Sequence, residues 1–71
     1  MTNREKYGSS LIDQSIRFLD QQRDTILEVT VLDCGTSHLR GDWFEILDEG
    51  ASESRMITAS ELDDIMANRV Q

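Results

Sequence analysis

Cys34 is the only cysteine in a chain of 71 residues, and those two facts together limit the fold more than any other feature. A domain this short buries a modest share of its surface and usually needs support from disulfides, a metal or a second subunit. One thiol cannot close an internal disulfide. A partner subunit is therefore the expected support, a homodimer in the simplest case, with a metal as the second option. A lone thiol suits a reducing compartment, so a cytoplasmic protein is expected. The length allows a single domain. No apolar run approaches the ~20 residues of a membrane span. The opening Met-Thr-Asn-Arg-Glu-Lys-Tyr lacks the apolar core of a signal peptide. No membrane partner is expected.

Charge narrows the choice of partner. The net charge is −7 and is unevenly placed. Residues 1–24 balance four basic against four acidic side chains, whereas residues 25–71 set Arg40, Arg55 and Arg69 against ten acids. Phosphate binding calls for a positive surface, so direct nucleic-acid binding is not expected. The acidity serves solubility on one reading and a basic partner on the other.

Residues 1–8 are polar and end in Gly8, the pattern of a loose N-terminal arm, which leaves 9–71 as the domain. Residues 9–24 read as a helix. Ser10 and Asp13 resemble a capping box, and Ile12, Ile16 and Leu19 form an i, i+4, i+7 stripe flanked by Leu11 and Phe18. The period changes to two at Thr25. Leu27, Val29 and Val31 then alternate with Glu28 and Thr30, which predicts a strand over 26–33. Residues 34–41 form a glycine-bounded connection. A second strand is expected over 42–48, with Phe44 and Ile46 on one side and Trp43, Glu45 and Leu47 on the other. Residues 49–53 are a turn and 54–57 a short third strand. A helix over 58–70 follows from the Thr58–Glu61 capping box and the Ile57–Leu62 hydrophobic staple. Leu62, Ile65, Met66 and Val70 repeat at helical spacing. Glu61, Asp63 and Asp64 near its start and Arg69 at its end suit the helix dipole.

The expected fold is therefore α+β, in the order α-β-β-β-α. It is a three-stranded antiparallel meander with two amphipathic helices on one face. A curled, partly closed small barrel is the alternative. The span Val31–Asp48, with Gly35, Gly41 and Asp48, resembles in outline the first half of Sm-like barrels. Its glycine spacing departs from that pattern, and a helix after Thr58 leaves no room for closing strands. The chain is not assigned to that family.

Catalytic chemistry has little support. The sequence holds no glycine-rich phosphate loop, no H-E-x-x-H and no G-x-S-x-G, so no enzyme and no cofactor are expected. Cys34 and His38, in C-x3-H spacing, could give two zinc ligands, a redox sensor or a Cys–His dyad. A structural zinc needs four ligands and a dyad needs a cleft. The competing reading has Cys34 packed as a small apolar residue and His38 solvated. Asp48-Glu49-Gly50-Ala51-Ser52-Glu53 is oxygen-rich but lacks the alternating acids of a calcium loop. Arg40-Gly41-Asp42 matches an adhesion tripeptide, yet Gly41 more plausibly serves a turn.

Trp43 carries the partner argument, because tryptophan is enriched at binding hot spots. If helices cover the Phe44/Ile46 face, Trp43 and Leu47 share an open face with Glu45; otherwise Trp43 belongs to the core. The leading expectation is a small acidic, non-catalytic protein-interaction module, in its sharper form an inhibitor or regulator of a basic, nucleic-acid-handling protein. Such compact acidic regulators are typical of phage and plasmids. Its partner-binding residues would be Trp43, Glu45, Leu47, Asp48, Glu49 and Glu53. The alternative is a metal-binding or redox-sensing protein using Cys34 and His38.

Overall fold

A computed structural model describes residues 10–70. Its element order is β1 (Ser15–Asp20), β2 (Thr25–Ser37), β3 (Gly41–Asp48), β4 (Arg55–Thr58) and α1 (Ala59–Ala67). The four strands form one antiparallel sheet in chain order. The expected three-stranded meander with two helices does not fit: among the described residues the sheet has four strands, with helix α1 against it. The proposed arm, residues 1–8, lies outside the described residues.

The error lies in residues 9–24. Among the described residues of this span only Ser10 and Leu11 are helical, and Asp13 then takes a positive φ of 68°, which an α-helix cannot accommodate. Gln14 N–H still closes a turn onto the Leu11 carbonyl at 2.9 Å, and Asp13 N–H donates to the Val31 carbonyl at 2.7 Å. From Ser15 the chain is extended. Ile16 and Phe18 point inward at period two, while Ser15 and Arg17 face water. The same residues satisfy a helical stripe and an alternating strand. Pairing decides between them, because β1 supplies the ladder that the backbone of Thr25–Thr30 needs. The β1–β2 turn is held by the Asp20 carboxylate, which accepts from Gln22 N–H at 3.0 Å and Arg23 N–H at 3.4 Å.

Strand β2 is longer than the expected 26–33. It pairs with β1 over Thr25–Thr30 and with β3 over Val29–Ser37. A register shift at Leu32 changes its phase. Val29 and Val31 face inward before the shift and Cys34 after it, while Leu32 is pushed outward. The connection expected over 34–41 therefore shrinks to a turn at 38–40, closed by the Ser37 hydroxyl and by Gly41 at φ 73°. Phe44 and Ile46 lie inward on β3 as their alternation implies.

Helix α1 begins as its sequence indicates. The Thr58 hydroxyl accepts from Glu61 N–H at 3.2 Å and the Glu61 carboxylate accepts from Thr58 N–H at 3.3 Å. The helix ends three residues before Val70. Asn68 stops it, its side-chain amide donating to the Asp64 carbonyl at 2.8 Å. Arg69 consequently sits beyond the last turn and does not cap it. Residues 68–70 return along the outer edge of β1: Leu19 N–H donates to the Asn68 carbonyl and Val70 N–H to the Arg17 carbonyl, both at 2.9 Å. A helix after Thr58 thus leaves room for one isolated bridge, Phe18↔Arg69, beside β1.

Among the described residues eleven form the core, drawn from all four strands, α1 and Leu11. Val31, Cys34 and Ile46 are wholly buried. No helix among the described residues is long and apolar enough to cross a membrane.

On the outer face, Trp43 lies across from Gly35. A Cβ at Gly35 would stand 2.5 Å from the indole Cζ2, so the ring covers space that only glycine leaves open. Gly35→Ala is expected to displace the indole and cost about 1–3 kcal/mol. The sole tryptophan reports this directly, through a red-shifted emission and an earlier urea midpoint. An unchanged spectrum and midpoint would show that the ring does not rest there. Ile46→Ala, at a fully buried site, is expected to cost about 2–5 kcal/mol in the same urea titration.

Candidate functional site

A groove of about 670 Å³ is lined by residues of all four strands, the β1–β2 turn and α1. Its floor is apolar, made by Phe18, Leu27, Ile57 and Ile65, and its walls are charged. Asp20, Gln22 and Arg23 come from the β1–β2 turn, Ile26 and Glu28 from β2, Asp48 and Glu49 from the end of β3, Arg55 from β4, and Glu61 and Asp64 from α1. Each element arrives by a feature already described: the Asp20-capped turn, the Thr58 cap and the backbone bond at Asn68.

Both cations in the groove already have carboxylate partners. Arg55 grips Asp48 with two bonds, Nε to Oδ2 at 2.7 Å and a terminal nitrogen to Oδ1 at 3.1 Å. Arg23 Nε lies 3.7 Å from the Asp20 carboxylate. The Arg55 hydrogen bond holds the Asp48 carboxyl below its usual range; desolvation opposes this, and the charges of Arg55 and Arg23 add to it. Arg55 is correspondingly pushed up by the same bond. Glu28, Glu49, Glu61 and Asp64 remain as carboxylates beyond these two pairs, so the groove is negative overall.

A second hollow of about 390 Å³ lies on the other side of β4, lined by Ser37, Arg40, Asp42, Trp43, Met56, Ile57 and Thr58. Met56 is 58% exposed there. Ile57 lines both depressions, so they adjoin across β4.

The residues singled out from the sequence are not brought together as one patch. Asp48 and Glu49 line the acidic groove, and Trp43 lines the smaller hollow. Glu45 lies on the outer face, where its carboxylate accepts from the Ser54 hydroxyl at 2.6 Å. Leu47 is half-buried on that face beside Thr30, and Glu53 is exposed in the β3–β4 turn, outside either depression. The sequence reading missed Asp20, Arg23, Glu28, Arg55, Glu61 and Asp64 as a group. Reading Ile16 and Phe18 at period two, with Gln21–Asp24 as a turn, would have placed the first of them.

Cys34 and His38 do not meet. Cys34 is fully buried opposite Phe44, and its N–H donates to the Asp33 carboxylate at 2.9 Å. His38 is exposed in the turn, four residues or about 13 Å further along an extended chain. Among the described residues no group of three or more histidine, cysteine or acidic side chains is placed to hold a metal ion. Comparison with protein-family models, curated proteins and solved structures gives no match.

The Asp48–Arg55 pair makes a pH prediction. A carboxyl lowered in the folded state contributes stability that is present above its unfolded pKa of about 3.9 and lost as pH falls through the lower folded value. Asp48→Asn is therefore expected to cost less than about 1 kcal/mol at neutral pH, since the pair is solvent-screened. It should also shrink the stability lost between neutral pH and acid. Urea midpoints at both pH values measure this; an equal acid loss in both proteins would contradict it.

Proposed function

We propose that this domain is a non-catalytic interaction module whose acidic groove receives a basic segment of a partner protein. The observation that carries this reading is the groove itself, where carboxylates outnumber guanidinium groups by four over an apolar floor. A floor of Phe18, Ile57 and Ile65 suits the aliphatic stems of lysine or arginine, while the wall carboxylates meet the charged heads. The chain's net charge of −7 would steer such a partner and repel phosphate backbones. A regulator that occupies the basic surface of a nucleic-acid-handling protein fits this chemistry. The buried single thiol is compatible with work in the cytoplasm.

The test compares two variants of equal charge. Glu28→Gln, Glu49→Gln and Asp64→Asn together remove three of the groove's four excess negative charges while leaving its ion pairs and the Thr58 cap in place. Asp13→Asn, Glu53→Gln and Asp63→Asn remove the same charge elsewhere. Binding of a lysine- and arginine-rich peptide is expected to weaken by about tenfold or more in the first variant, with a flatter salt dependence, and to change much less in the second. Equal losses would mean that net charge alone attracts the peptide and that the groove is no site.

A further inference from the structure

The two outer edges of the sheet are treated differently. The β1 edge is covered by residues 68–70, through the Leu19–Asn68 and Arg17–Val70 backbone bonds. Among the described residues the β4 edge has no such cover. Strand β4 pairs with β3 in unbroken register from Ile46↔Arg55 to Trp43↔Thr58, and among the described residues no other strand pairs with it. Edges are usually protected by lysine, proline or a bulge. The sequence Arg-Met-Ile-Thr has no lysine, proline or bulge, so only its shortness and the single charge of Arg55, already paired with Asp48, limit pairing.

This bare edge lies between the two depressions. Arg55 and Ile57 belong to the acidic groove, and Met56, Ile57 and Thr58 to the Trp43 hollow. From Arg55 to Thr58 an extended chain covers about 10 Å, so a segment of a few residues along the edge reaches both.

We propose that the outer edge of β4 is a strand-addition site for an extended segment of a partner protein. The segment places a basic side chain at the acidic groove and an apolar side chain at the Trp43–Met56 hollow. Backbone bonds to Arg55–Thr58 supply affinity, and the two flanking depressions supply selectivity, as in other strand-addition complexes. The occupant follows from charge complementarity: one end of the edge is negative and the other apolar. This inference rests on the basic-partner reading above and adds the backbone geometry of recognition.

The probe is a synthetic acetyl-Lys-Val-Arg-Val-Leu-Val-amide titrated into the full chain, with amide hydrogen exchange followed at Arg55–Thr58. Two further peptides carry N-methyl groups on one or the other alternate set of amides, with side chains and charge unchanged. One set is expected to bind about tenfold or more weakly and the other like the parent, because an added strand turns alternate amides toward its neighbour. Exchange at Arg55–Thr58 should slow with the parent peptide. Equal binding by both methylated peptides, with exchange unchanged, overturns strand addition and leaves the acidic-groove reading standing. A peptide with glutamates replacing Lys and Arg that binds β4 as tightly keeps the edge but removes the basic-partner reading. Failure of every peptide at millimolar concentration overturns both.

Discussion

Strand β2 is the ladder on which the rest of the molecule depends. Its first half bonds to β1 and its second half to β3, so removing it leaves only the β3–β4 hairpin. Thirteen residues of simple alternation would have turned Cys34 out to solvent, because it lies three positions after Val31. The register shift at Leu32 corrects the phase and keeps Val29, Val31 and Cys34 on one inner face. Leu32 becomes exposed as a consequence. After α1 the chain returns to bridge β1 at Phe18↔Arg69.

The groove is lined from all four strands and α1. The sequence places acids on β1, β2, β3 and α1 along it, and arginines at two positions that already face carboxylates. Residues 68–70 satisfy one sheet edge, and among the described residues no strand covers the other, beside this groove. Charge, apolar floor and open backbone thus occur within a few residues of Ile57, where no single residue type would have drawn attention.

The sequence revealed the elements whose signals were local. The Thr58–Glu61 cap and the inward Phe44 and Ile46 follow from spacing alone, and both are found in the structure. Residues 15–20 were misread because Ile16, Phe18 and Leu19 fit two periods equally well, and the choice rests on a partner strand that local reading does not include. The extension of β2 past Asp33 was hidden by Gly35, which suggests a loop until it is seen lying beneath Trp43. The site was less legible still. Asp48 and Glu49 were singled out, but as part of an exposed turn; their neighbours Asp20, Glu28 and Asp64 are remote in sequence and meet only in the folded groove.

The central claim is that basic chains bind in the groove lined by Glu28, Glu49, Arg55 and Asp64 and are not merely attracted to an acidic surface. Mapping of backbone amide shifts during titration with a lysine-rich peptide tests this most directly. The account predicts that the perturbed amides cluster at Glu28, Glu49, Arg55–Ile57 and Asp64, leaving Asp13, Asp42 and Glu53 unmoved. Small shifts spread evenly over all the acidic positions would contradict it.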